Sequence, residues 1–288
     1  MAATATATVK TKKPRRKPSA FLKRYGRVLI GGTLVAILIL VAIFAPLLTQ
    51  YDPNAVDMSI AKMPPNAEHI FGTDIYGRDL FSRTVYGSRI TISVGLLVQL
   101  VTIVVGSCCG LLCGYYRKVD NILSRVMEGL AAMPGMLLTL VMCSVLGPGM
   151  VQVVIALVIG RLPGMTRMMR SQVLSLKEKE FVESAKAMGS PDMRTVFLHI
   201  LPHTSHYLFI RFTTGISSCM LGLAGLAFLG VGLDPSIPNW GSIISDGQQL
   251  LFIYPYMIVY PGIALCICVL GFNLLGEGLR DVLDPRYK

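Results

Sequence analysis

The chain has 288 residues, 53% hydrophobic and only 15% charged, with a mean hydropathy of +0.60. A soluble domain of this length needs a larger polar surface, so long stretches must face something other than water. The formal charge of +11 is uneven: Lys10, Lys12, Lys13, Arg15, Arg16, Lys17, Lys23, Arg24 and Arg27 crowd the first 27 residues, directly before an apolar run. That placement fits positive-inside membrane anchoring better than binding of nucleic acid.

Residues 28–48 carry no charge and have the length of about 20 apolar residues that a spanning helix needs. The run is too long for a cleavable signal core and no A-x-A site ends it, so it reads as an uncleaved first span. Residues 49–87, with Pro53, Pro64 and Pro65, read as a loop on the far side. The apolar, Gly- and Cys-rich segment 90–114 is the second span. Its Gly106, Gly110 and Gly114 recur every fourth residue, a spacing that allows close helix packing. A third span is expected near 122–146, kinked at Pro134 because proline removes a helix hydrogen bond. After the Gly147-Pro148-Gly149 turn, a fourth span is expected near 150–169, with Arg161 and Pro163 towards its end. A polar stretch 170–200, a fifth span at 204–231, a loop 232–250, a sixth span near 252–276 and a charged tail 277–288 complete the chain.

Lys and Arg concentrate in the N-terminal arm, around 117–125, between Arg161 and Arg194, and in the tail; the intervening loops hold only Lys62, Arg78 and Arg83. Both termini are therefore expected in the cytoplasm, in agreement with an even number of spans. The seven cysteines, Cys108, Cys109, Cys113, Cys143, Cys219, Cys266 and Cys268, all sit in apolar runs without metal-ligand spacing and read as small buried hydrophobes. No Walker A, GxSxG or HExxH pattern is present, so neither catalysis nor a cofactor is expected, and energy must come from a partner.

The segment 180–202, EFVESAKAMGSPDMRTVFLHILP, carries the strongest local signals. EFVESAKAM is a plausible amphipathic helix, Gly189 can take the left-handed conformation that ends it, Ser190 is an N-cap, Pro191 a first helical residue, and Asp192 suits the first turn. The result is helix, sharp break, helix. Glu183, Ser184, Ala185, Gly189, Leu201 and Pro202 resemble the EAA loop of ABC importer permeases: Glu-Ala-Ala, three residues, Gly, nine residues, Ile, one residue, Leu-Pro. Ser184 replaces the second residue of that pattern, and His199 its Ile. By this resemblance the segment is the coupling helix that docks on the ATPase.

FGTDIYGRDLFSRTVYGSRITISVG (71–95), FLGVGLDPSIPNWGSII (228–244) and FNLLGEGLRDVLDPR (272–286) are similar to the corresponding stretches of dipeptide, oligopeptide and nickel permeases, in the C-type subunit. The resemblance covers nearly everything beyond residue 28. It implies an all-α integral membrane protein with six transmembrane helices. Residues 1–27 would be a basic arm, 28–87 a first helix and outer loop, 88–276 a five-helix type I core, and 277–288 a tail. It also implies a homologous second permease, two ATP-binding subunits and an extracytoplasmic solute-binding protein as partners, in the cytoplasmic membrane of a prokaryote. Uptake of di- or oligopeptides is the leading expectation and nickel or a nickel chelate the alternative, since many peptide permeases carry a Glu where this chain has Leu223. A secondary transporter would predict inverted repeats and mid-membrane acids, and neither is evident; a membrane scaffold or export component is a third reading, which co-purification with an ATPase would separate from an importer.

Other residues have plainer readings. Asp74, Arg78, Asp79 and Arg83 form either an internal brace or a contact for the binding protein, with the brace favoured. Arg211 in the fifth span is expected to snorkel to the interface, with a pore-facing role as the alternative. Glu128 is expected near the cytoplasmic start of the third span, within reach of a basic residue. His199, His203 and His206 share roughly one helical face, but lack accompanying acids or Cys, and read as structural rather than metal-binding.

Overall fold

The computed structural model describes residues 18–234 and 236–283; for 18–24 and 283 it describes the backbone alone. Of the basic arm, Lys10 to Lys17 lie outside the described residues, as do Arg286 and Lys288 of the tail. Among the described residues the chain is helical, with one isolated bridge, Thr73 to Asp79.

The bundle is built from α1 (Pro18–Ile43) with the short α2 (Ala45–Leu48), α3 (Leu80–Tyr115), α4 (Arg117–Ala131), α5 (Gly135–Leu146) and α6 (Met150–Lys177). Next come α7 (Glu180–Ala187) and α8 (Asp192–Arg194), which runs through a π turn at Thr195–Ile200 into α9 (Leu201–Phe228). Last are α10 (Trp240–Gly247) and α11 (Tyr256–Leu283). Five helical segments are long and apolar enough to cross a membrane, or six if α4 and α5, which meet at 90°, count as one span. The kink expected at Pro134 is thus a right-angled break. Pro134 is extended (ψ 129) and caps α5, whereas α4 is an amphipathic helix with no buried residue.

Several boundaries differ from expectation for identifiable reasons. α3 begins at Leu80, not near 90, because Asp79 caps it by accepting from the backbone N of Ser82 at 2.7 Å. Arg83, expected in the outer loop, is helical, and so is Arg89, expected near the end of a span. α6 continues to Lys177 and so takes up the start of the expected polar stretch, Arg170 to Lys177. α11 likewise takes up Glu277 to Leu283 of the expected tail.

Glycine sets the spacing of the closest helices. A Cβ on Gly110 would stand 2.5 Å from Met169 Cβ and 2.7 Å from the Thr166 carbonyl oxygen, and one on Gly114 would stand 2.5 Å from Val173 Cβ. The glycine stripe of α3 therefore lets α6 approach backbone to backbone. α1 packs on α11 in the same way, through Gly31 against Gly271 and Leu275.

Three apolar clusters stack along the bundle. One, around Leu80, Ile92, Trp240 and Phe272, lies towards the end that carries α10; a second joins Val94, Val98, Leu157 and Leu223; the third joins Leu111, Met169, Val173, Val182 and Ile200 at the α7 end. Trp240 is 1% exposed and donates from Nε1 to the Thr84 carbonyl at 2.9 Å, fixing α10 against α3. Burial of such a ring is worth about 3–5 kcal/mol by truncation.

Candidate functional site

Residues 180–202 fold as helix, break, helix. α7 ends in a Schellman motif: the Gly189 N–H donates to the Lys186 carbonyl at 2.9 Å and the Ser190 N–H to the Ala185 carbonyl at 3.0 Å. Gly189 has φ +80, and a Cβ there would meet nothing within 4 Å. The demand for glycine is therefore purely conformational. Ser190 is not the cap of the next helix: Pro191 occupies that position, Asp192 is the first helical residue, and the Ser190 hydroxyl accepts from Thr195 Oγ1 at 3.2 Å. The π turn precedes Pro202, which lacks the N–H that a regular α ladder would use.

The segment has a buried and an exposed face. Val182 and Ala185 are buried, and Val182, Val196 and Ile200 pack with Leu111 and Tyr115 of α3 and Met169 and Val173 of α6. Tyr115 Oη donates to Asp192 at 2.6 Å and Lys177 Nζ to the Tyr115 carbonyl at 2.8 Å. Phe181 stacks on His203 with centroids 4.4 Å apart, and His203 Nδ1 lies 2.7 Å from the His199 carbonyl. The opposite face presents Glu183, Ser184, Met188, Met193 and Leu198 to the outside, with Met188 81% exposed. Leu201 is half-buried against the α7-end cluster and Pro202 is exposed in the first turn of α9. Among the described residues no group of three His, Cys, Asp or Glu could hold a metal.

At the other end Asp74, Arg78, Asp79 and Arg83 are all buried. Arg78 Nε donates to Asp74 at 2.6 Å and its other nitrogen to Asp246 at 2.9 Å, while Arg83 lies 3.5 Å from Asp74 and 3.8 Å from Asp246. Asp79, besides capping α3, lies 2.9 Å from His69 Nδ1. Asp246 of α10 is the partner that sequence reasoning missed, because 168 residues separate it from Arg78. Burial raises its carboxyl above the ordinary 3.8, opposed by the charges of Arg78 and Arg83.

Midway along the bundle, a cavity of about 260 Å³ is lined by Gln99 and Thr102 of α3, Gly160 and Arg161 of α6, and Arg211 and Gly215 of α9. Arg211, an exposed residue, also lines this cavity, and its carbonyl accepts from Gln99 Nε2 at 2.9 Å. Arg161 donates to the Gly215 carbonyl at 3.2 Å. The sequence places Arg161 inside the fourth span, as found, but does not show that it meets Arg211 of α9 at a cavity. Leu223, by contrast, is 1% exposed and packs with Val94, Val98 and Leu157. Its side chain belongs to the core. Glu128 lies on α4, and α4 is tied to α6 through Asp120, which accepts two bonds from Arg170 at 2.6 Å.

Comparison with known proteins places this architecture. Residues 106–288 match the family model described as "Binding-protein-dependent transport system inner membrane component". The chain belongs to this family. Residues 22–65 match "N-terminal TM domain of oligopeptide transport permease C". The chain is 39% identical over 276 residues to the dipeptide transport system permease protein DppC of Alkalihalophilus pseudofirmus, covering 96% of this chain and 91% of that one. It is 37% identical over 273 residues to the glutathione transport system permease protein GsiD of Escherichia coli, covering 93% and 90%. It is thus a multi-pass membrane permease subunit of the ABC transporter class.

Proposed function

We propose that the chain is the C-type permease of an ATP-driven importer of di- or oligopeptides in a prokaryotic cytoplasmic membrane, working with a homologous permease, two ATP-binding subunits and a solute-binding protein. The observation that carries the coupling role is the α7–Gly189–α8 segment, glued to α3 and α6 on one face and offering Met188, Met193 and Leu198 on the other. Exposed apolar side chains on a rigid element suit a protein contact. Displacement of that element by the ATPase would act directly on the ends of α3 and α6, which the glycine stripe holds as a unit. The Lys/Arg bias supports placing the α7 end, with both termini, in the cytoplasm.

The Asp74, Arg78, Arg83 and Asp246 network acts as a brace that locks the start of α3 to α10 on the outer side. A peptide solute is supported by the printed activities of the relatives, dipeptide and glutathione transport. Nickel is not favoured, because the relatives' printed activities are peptide, dipeptide and glutathione transport.

Uptake by the reconstituted complex tests the coupling role. Gly189→Val forces a β-branched residue to φ +80, at about 1–2 kcal/mol for the left-handed region and more for its branched Cβ. The variant should insert and assemble while losing most ATP-driven uptake, with Gly189→Asn intermediate. Normal uptake by Gly189→Val would refute the role.

A further inference from the structure

The cavity at mid-bundle brings two cations together without a counter-ion. Arg161 and Arg211 line it, and neither makes an ion pair among the described residues. The three helices that wall it contain no Asp or Glu at any position of α3, α6 or α9. Nearby on α4, Asp120 is already committed to Arg170. A guanidinium within a span is costly unless it finds an opposite charge or water. Arg161 gives one N–H to the Gly215 carbonyl, and its Nε is buried with no hydrogen-bond partner.

The walls are arranged to keep this space open and polar. A Cβ on Gly215 would stand 2.2 Å from Gln99 Nε2, so glycine is what lets Gln99 reach across to the Arg211 carbonyl. Gly164 has nothing within 4 Å of where its Cβ would be. Arg161 also lines a second cavity, of about 360 Å³, beside the break at Gly135, so it stands between two openings along the bundle. Arginine carries its donors in a planar fork that matches a carboxylate with two parallel bonds.

We propose that Arg161 and Arg211 form a transient carboxylate site on the translocation path, taking the C-terminal carboxylate of the passing peptide as the counter-ion that the three helices lack. The proposal rests on the peptide-import reading. A weak, solvent-accessible site of this kind lowers the cost of moving an anionic group through the bundle without trapping it, because the cavity is open and the site has no acid to release.

The test is uptake by proteoliposomes holding the full complex, with a peptide and its C-terminal amide each presented at saturation on the binding protein. With the native chain the free acid should move about tenfold faster than the amide, the equivalent of one charge-assisted hydrogen-bonded pair. Arg161→Gln and Arg211→Gln should each bring that ratio close to one, and Arg161→Lys, which keeps charge but loses the fork, should leave an intermediate ratio. A ratio unchanged in both Gln variants overturns the carboxylate site and leaves peptide import standing. Poor assembly of Arg161→Gln with an unchanged ratio for Arg161→Lys would assign the arginines to an acid of the neighbouring permease, and also overturns it. Failure of the native complex to move either peptide overturns the peptide reading and this site with it.

Discussion

Arg83 is fully buried, yet two of its nitrogens, Nε and one terminal nitrogen, lack a hydrogen bond. Its remaining nitrogen donates to the Pro53 carbonyl at 3.3 Å, and the carboxylates hold it by charge, 3.5 Å from Asp74 and 3.8 Å from Asp246. Removing one partner from such a group leaves an uncompensated buried charge, at about 3–5 kcal/mol. Asp74→Asn should therefore lower the thermal midpoint of the purified protein markedly, and Asp74→Asn with Asp246→Asn should cost less than the sum of the two, because both act on the same arginines. An unchanged midpoint in Asp74→Asn would show that the network is not a brace. The proximity of Asp74, Arg78, Asp79 and Arg83 was legible in the sequence; Asp246 was not, because nothing local to α10 points across the chain to α3. Arg161 was legible as a residue of the fourth span, but its cavity shared with Arg211 was not, because the two lie 50 residues apart on different helices.

The helices divide in the same way. Segments such as α1 and the apolar part of α3 declare themselves by length and absence of charge, and a break at Pro134 follows from proline's missing donor. The 90° turn there does not follow, because the direction of α4 depends on its tertiary contacts, including the Asp120 to Arg170 pair. The π turn before Pro202 was equally hidden, since it arises from joining α8 to α9 without a stop. The glycine stripe of α3, in contrast, was readable by spacing and is where the fold is least forgiving. Gly110→Ala places a Cβ against the Thr166 carbonyl, which belongs to backbone and cannot swing aside. It should destabilise the protein by about 1–3 kcal/mol, the usual range for overpacking. Gly129→Ala, with nothing within 4 Å, should instead stabilise α4 by up to about 1 kcal/mol through helix propensity. Chemical denaturation in detergent measures both, and equal effects of the two changes would refute the close-packing account.

At the scale of the molecule, the bundle has two unlike ends. One is closed by the buried ion pairs and Trp240; the other carries α7 and α8, rigidly seated and presenting apolar side chains outward. The two ends and the mid-bundle cavity between them fit the proposed function, in which force would enter at α7. The most direct measurement is cross-linking from a single cysteine at Met188, 81% exposed, in a chain whose native cysteines are replaced. The account predicts an adduct with the ATP-binding subunit, whose yield changes with bound nucleotide, and no labelling of that cysteine by a membrane-impermeant thiol reagent added outside the cell. Labelling from outside, without any adduct to the ATP-binding subunit, would contradict it.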